Sequence, residues 1–189
     1  LASYLQKHHH KCRIIDGLVT PLSLEEICHI ANEYDVVGIT VVSSYALRAI
    51  ELIRHLKEKC PETLIVVGGP HVTTLPESML KYGADFAIIG EGEATFLELV
   101  EKLAADNGGI ENVKGIGFMN GDQFVSTGRR PLIDCLDEVP LPARDLLPMH
   151  LYHSGITRAT RQPSHAMFTS RGCLGMCSFC SKVTFGRQV

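Results

Sequence analysis

Apolar residues change their period repeatedly along the first hundred positions, and each change marks an element. Leu1, Tyr4 and Leu5 lie at helical spacing. Residues 12–16 predict a short strand closed by Gly17. Pro21 and Ser23 then open a helix. Ser23 and Glu26 form a capping box there, and Leu24, Ile27, Cys28 and Ala31 share one face. Residues 36–42 form a nearly unbroken apolar run, the mark of a strand buried on both sides of a parallel sheet. The helix over 44–60 carries Ala46, Ile50, Ile53 and Leu56 on one face, with Arg48, Glu51, Lys57 and Glu58 elsewhere. A second buried strand over 64–67 ends in Gly68-Gly69-Pro70-His71. A short helix over 76–81, a strand over 86–89, the stretch Gly90-Glu91-Gly92-Glu93 and a helix through Ala104 complete the series. Alternating helices and β-branched strands predict an α/β fold with a doubly wound parallel sheet.

The pattern changes after Asn107. Residues 115–119 and 123–126 flank Asn120-Gly121-Asp122 and read as a hairpin. From 128 to 163 come four prolines between Pro131 and Pro148, then Pro163, with little periodicity. That composition predicts a linker. Residues 167–170 read as one more strand. The expected organisation is a domain over 1–127, a proline-rich linker over 128–164 and the start of a second domain over 165–189.

In an open α/β sheet, ligands sit outside the carboxyl ends of the strands. Those ends are Ser43-Ser44-Tyr45, Gly68-Gly69-Pro70-His71 and Gly90-Glu91-Gly92-Glu93. One sheet edge is therefore the candidate binding surface. Glu91 and Glu93 also suit a helix start, where carboxylates favour the positive dipole end. His71 reads more simply as a surface or capping histidine than as a metal ligand, and His8-His9-His10 as a solvated turn.

Composition narrows the classes. A net charge of −3 leaves no electrostatic footprint for nucleic acid. No apolar run reaches the length of a membrane span, and the first residues are not a signal peptide. Seven cysteines without paired spacing argue against a disulfide framework and for a reducing cytoplasm. Cys12, Cys28 and Cys60 read as small buried hydrophobes.

Cys173, Cys177 and Cys180 differ from these, because their C-x3-C-x2-C spacing and the glycines around them form a loop able to wrap one metal centre. Three thiolates on a [4Fe–4S] cluster leave one iron open to a small molecule, whereas a structural zinc site would need a fourth ligand such as His165 or Cys135.

The order Arg-Ile-Ile-Asp-Gly, Val-Val-Gly-Ile-Thr, Val-Val-Gly-Gly-Pro-His-Val-Thr, Ile-Ile-Gly-Glu-Gly-Glu, Leu-Asp-Glu-Val-Pro-Leu-Pro-Ala-Arg-Asp and Ser-Arg-Gly-Cys resembles the cobalamin-dependent radical S-adenosylmethionine (radical SAM) proteins. The resemblance implies a B12-binding domain of flavodoxin-like fold joined to a partial (β/α) barrel. Cys173, Cys177 and Cys180 would ligate three irons, S-adenosylmethionine would chelate the fourth, and Phe179 would lie along the adenine. One electron would cleave S-adenosylmethionine to methionine and a 5′-deoxyadenosyl radical. Thr40, Val42, Ser43, Gly68 and Gly69 would border the cobalamin tail, and Glu91 would also touch a ligand there. A small-molecule substrate and a one-electron reductant protein such as flavodoxin or ferredoxin are implied as partners.

The resemblance further implies a first strand upstream of Leu1 and most of the barrel beyond Val189, so the expected function belongs to a longer parent protein. Methyl transfer to a poorly activated carbon is the expected reaction. Radical cyclisation, a methylthiotransferase and a non-catalytic corrinoid-binding module are the alternatives.

Overall fold

Three aliphatic strands lie side by side at the centre of the computed structural model: β1 (Val36–Thr40), β2 (Leu64–Gly68) and β3 (Phe86–Ile88). The structure describes residues 1–105, 108–152, 167–180, 182, 185 and 186. The strands pair in parallel, Val36 with Leu64 through Thr40 with Gly68, then Val66 with Phe86 and Val67 with Ala87. Successive side chains point to opposite faces. Ile65, Val67 and Ala87 thus enter one core, while Val66, Phe86 and Ile88 enter another.

Helices cover both faces. The first core receives α2 (Leu24–Ala31), α3 (Ala46–Lys59), α4 (Pro70–Thr74) and α5 (Glu77–Leu80) through Cys28, Ile53, Leu56, Val72 and Met79. The second receives α1 (Ala2–Lys7) and α6 (Glu93–Ala105) through Leu5, Phe96, Leu97 and Leu99. Ile53 and Leu56 are fully buried, and each such side chain contributes about 1.5–3 kcal/mol by leaving water. This is the doubly wound α/β arrangement that the period changes predict.

Polar ties hold the elements in register. At the start of α2 the Ser23 hydroxyl accepts from the Glu26 N–H at 3.2 Å, and the Glu26 carboxylate accepts from the Ser23 N–H at 2.8 Å. The predicted capping box is therefore formed. Lys57 of α3 donates to both oxygens of Asp85 at 2.8 and 2.7 Å, and Asp85 accepts the Ile65 N–H at 2.6 Å. One carboxylate fastens a helix to the starts of two strands.

The hairpin joins the same sheet. β4 (Ile116–Asn120) pairs antiparallel with β3 and with β5 (Gln123–Ser126), giving the order β1-β2-β3-β4-β5. Asn120 pairs with Gln123, so the turn is Gly121-Asp122, with Gly121 at φ 60°. The sheet is mixed rather than purely parallel.

Several elements differ from expectation. Residues 12–16 join no strand. Half-buried Cys12, Ile14 and Asp16 alternate with exposed Lys11, Arg13 and Ile15, so this extended chain keeps a strand's period without its ladder. Residues 167–170 form no strand either, and Met167 and Phe168 stay exposed with no partner strand among the described residues. The helix expected from 44 begins at Ala46, because Ser43–Tyr45 forms a 3-10 turn first. An unexpected helix, α4, opens with Pro70 at its first position, where the fixed φ of proline suits a helix start.

The proline-rich stretch holds short 3-10 turns at Leu136–Glu138, Arg144–Leu146 and Met149–Leu151. It is fastened back onto the sheet domain by Lys7 donating to the Glu138 carbonyl at 3.2 Å and by Tyr152 donating to Asp16 at 2.6 Å. Pro163 and the expected barrel start at His165 lie outside the described residues. Among the described residues no helix is long and apolar enough to cross a membrane.

Candidate functional site

Parallel strands deliver their carboxyl ends to one edge, and six of the predicted site residues collect there. β1 ends at exposed Thr40, followed by buried Val41, then Val42 and Ser43, both exposed. The ladder runs one step past β1, with the Val41 N–H donating to the Gly68 carbonyl at 2.8 Å. β2 ends at Gly68 and Gly69, and β3 leads into Gly90, Glu91 and α6.

The two glycines of β2 serve different ends. Gly69 sits at φ 97°, and a Cβ there would stand 2.8 Å from the Val41 carbonyl oxygen, so the backbone itself demands glycine. A Cβ on Gly68 would meet only the Ile88 Cβ, at 3.7 Å, an ordinary contact. Glycine there keeps the end of β2 free of any side chain, a bare backbone floor at the edge.

Beside that floor runs a hydrogen-bonded chain centred on His71. The Ser78 hydroxyl donates to the Leu75 carbonyl at 2.6 Å, Ser78 lies 3.1 Å from His71 Nε2, and His71 Nδ1 lies 3.0 Å from the Ser43 hydroxyl. Because Ser78 donates elsewhere, its oxygen accepts from Nε2–H. In the neutral ring Nδ1 then accepts from Ser43. His71 is thus neither a bare surface residue nor a simple cap. Its proximity to Ser43 is tertiary, across 28 residues, and no local sequence signal marks it.

The third strand end carries an acid pair. Glu91 and Glu93 side chains are 6% and 11% exposed, and both receive Arg171. Arg171 Nη1 donates to Glu91 Oε1 at 2.7 Å and to Glu93 Oε2 at 3.3 Å, while Nη2 donates to Glu93 Oε1 at 2.5 Å. The second Glu91 oxygen accepts the Ile133 N–H at 2.6 Å. Burial pushes the Glu93 carboxyl up, but the Arg171 hydrogen bonds and charge outweigh this and hold it below the usual carboxylate value. Arg171 escaped the sequence reading as a functional residue. Two acids at the end of a buried strand, Glu91 in the connection and Glu93 opening α6, were the available signal, since buried charges need a cation.

Arg171 opens the cysteine loop. Gly172 follows at φ 83°, and a Cβ on Gly175 would stand 3.4 Å from Cys173 Sγ and 3.8 Å from Cys177 Sγ, so these sulfurs flank one glycine. The Cys180 N–H donates to the Cys177 carbonyl at 3.2 Å, which turns the chain between them. All three cysteines are exposed, and Phe179 is 88% exposed. Among the described residues no three His, Cys, Asp or Glu side chains are gathered as a metal site. Thiolate ligands and glycine turns fit an iron–sulfur cluster, and such loops close on their metal as it binds.

The other cysteines stand apart. Cys28 and Cys60 share the first core, with the Cys60 thiol donating to the Cys28 carbonyl at 3.5 Å, whereas Cys12 packs on the second core across the sheet. These three cannot converge on one centre, so they do not form a second cluster.

Comparison with known proteins fits this geometry. A family model described as B12 binding domain matches residues 1–100. An uncharacterised methyltransferase of Pyrococcus horikoshii is 35% identical over 100% of this chain and 40% of its own length. The anaerobic magnesium-protoporphyrin IX monomethyl ester cyclase of Cereibacter sphaeroides is 31% identical over 92% of this chain and 29% of its own. The solved structure of the cobalamin-dependent S-adenosylmethionine radical enzyme OxsB, with aqua-cobalamin and S-adenosylmethionine bound, shares the fold over 79% of this chain and 21% of its own. Its TM-score is 0.69 at 22% identity. The chain spans less than half the length of these relatives. With the family model matched over residues 1–100 of 189, the chain belongs to the B12-binding domain family.

Proposed function

We propose that the whole protein is a radical SAM enzyme that transfers a methyl group to an unactivated carbon of a small molecule, using cobalamin and a [4Fe–4S] cluster. One observation carries this reading. The loop with Cys173, Cys177 and Cys180 is tied through Arg171 to the same sheet edge where Gly68 and Gly69 end β2 in bare backbone. Two cofactor-type sites thus border one space.

In this reading residues 1–127 hold the corrinoid, 128–164 connect, and 165–189 begin the cluster-bearing barrel. Thr40, Val42, Ser43, Gly68 and Gly69 border the cobalamin tail, and Glu91 borders that space from β3. Cys173, Cys177 and Cys180 hold three irons, and Phe179 lies along the adenine. When bound, the cluster supplies the electron that cleaves S-adenosylmethionine, and the corrinoid carries the methyl group. The chain's own residues bind and orient. Ser43 presents a hydroxyl whose direction His71 sets, Gly69 lets backbone approach closely, and the Arg171 contacts hold the loop. A reductant such as flavodoxin or ferredoxin and a reducing cytoplasm suit this chemistry. The identity with the cyclase favours radical cyclisation as the second reading.

The test is anaerobic reconstitution of the whole protein with iron, sulfide and hydroxocobalamin, followed by S-adenosylmethionine and dithionite. Bound iron and corrinoid with formation of 5′-deoxyadenosine or S-adenosylhomocysteine are expected. Neither product, with iron and S-adenosylmethionine both bound, would favour a corrinoid-binding module instead. Stoichiometric zinc without iron would sink the cluster assignment.

A further inference from the structure

We propose that Arg171 is a positioning residue whose guanidinium, held between Glu91 and Glu93, sets where the cysteine loop stands over the corrinoid edge. The inference rests on the function proposed above and assigns a specific residue to the alignment of its two cofactors.

Placement is the first argument. Arg171 lies two residues before Cys173, and Gly172 turns the chain immediately after it. An anchor this close to the first cysteine transmits its position with little slack. Phe185, beyond the last cysteine, lies with its ring 5.4 Å from the same guanidinium. Both ends of the loop therefore meet at Arg171.

The second argument is geometry. The planar fork reaches two carboxylates at once, with Nη1 on Glu91 and Nη2 on Glu93. A lysine ammonium carries the charge but not this fork. Glu91 holds the Ile133 N–H with its other oxygen, so one carboxylate joins the strand end, the connecting chain and the loop. A helix-start role needs no such convergence. Lifting the loop would strand two nearly buried carboxylates without their cation, which strongly disfavours intermediate positions.

Variants Arg171→Ala, Arg171→Lys and Glu93→Gln test this in the whole protein. Amide exchange is first read without cofactors. In Arg171→Ala, exchange at Ile133 and across the loop should rise about tenfold to a hundredfold, the scale of a lost charge-assisted hydrogen bond. Reconstituted enzyme is then given S-adenosylmethionine and dithionite. S-adenosylhomocysteine marks methyl departure toward the corrinoid, and 5′-deoxyadenosine marks cleavage at the cluster.

The ratio of the first product to the second should fall about tenfold in Arg171→Ala, with iron and corrinoid content retained. The spectrum of the reduced cluster should keep its change on adding S-adenosylmethionine, because cleavage at the cluster persists while methyl departure toward the corrinoid is lost. Arg171→Lys and Glu93→Gln should show the same effects at smaller size. Wild-type exchange and product ratio in Arg171→Lys would overturn the proposal even if Arg171→Ala does not fold. Parallel loss of iron, corrinoid and both products would overturn it too, as a merely structural role. A wild-type protein that makes neither product sinks the proposed function instead, while the cofactor-free exchange still reads the clamp.

Discussion

Gly69 lies against Val41 so closely that a Cβ on it would stand 2.8 Å from the Val41 carbonyl oxygen, while one on its neighbour Gly68 would make only an ordinary contact, 3.7 Å from the Ile88 Cβ. Adjacent glycines therefore answer to different demands, one to the backbone and one to whatever fills the edge. Gly69→Ala combines a clash with a φ of 97° and should destabilise the fold by about 1–3 kcal/mol in thermal unfolding. Gly68→Ala should unfold at nearly the wild-type temperature yet bind hydroxocobalamin more weakly in a titration. Wild-type affinity in Gly68→Ala would show that the bare floor is not where the corrinoid lies.

His71 orients Ser43, and that orientation can be read directly. Nitrogen chemical shifts at neutral pH should report the Nε2–H tautomer, because Ser78 donates to Leu75 and must accept from the ring. Removing the ring in His71→Ala should release the Ser43 hydroxyl and weaken hydroxocobalamin binding several-fold, about 1 kcal/mol for one neutral hydrogen bond. An Nδ1–H tautomer would contradict the assigned chain.

Most of the sheet was legible because its signals are local. The apolar runs that became β1, β2 and β3, the Ser23–Glu26 box and the turn after Asn120 all act within a few residues. Residues 12–16 show the limit of that logic. Alternation reports one-sided burial, and an extended chain packed on a core satisfies it without any ladder. Residues 167–170 carry a strand's apolar character, but a strand is defined by its neighbour, which a short window cannot supply. The site divided the same way. Strand ends follow from topology, so Ser43, Gly68 and Glu91 fall together, whereas Thr40 rests on the family resemblance. The Arg171 contacts span 78 and 80 residues, and only the requirement that buried acids meet a cation pointed toward them.

Cysteine chemistry should separate along the same line. Burial, aided by the neighbouring Cys60, pushes the Cys28 thiol up to about 11. Thiolate is the reactive form, so Cys28 should resist alkylation at pH 8 in the native state. Iodoacetamide followed by peptide mapping should label exposed Cys135, Cys173, Cys177 and Cys180 in cofactor-free protein, sparing Cys28 and Cys60. After cluster reconstitution, only Cys135 among these four should still react. Fast labelling of Cys28 would mean that the first core opens readily.

Acid should loosen the contact between the sheet edge and the cysteine loop. Burial alone would raise the Glu93 carboxyl, yet the Arg171 hydrogen bonds and charge leave it below its ordinary value of 4.5. A carboxylate depressed in the folded state adds stability that is complete above its unfolded pKa and is lost as pH falls through the folded one. The contribution should therefore be constant from neutral pH down to about 5 and fade below about 4.5. Glu93→Gln removes the charge at every pH, so it should melt below wild type at pH 7, on the order of 1–3 kcal/mol less stable. The two proteins should converge as pH falls through the depressed Glu93 value. A gap that stays constant throughout the acid range in which wild type remains folded would assign the loss to packing around Glu93 rather than to its charge on Arg171.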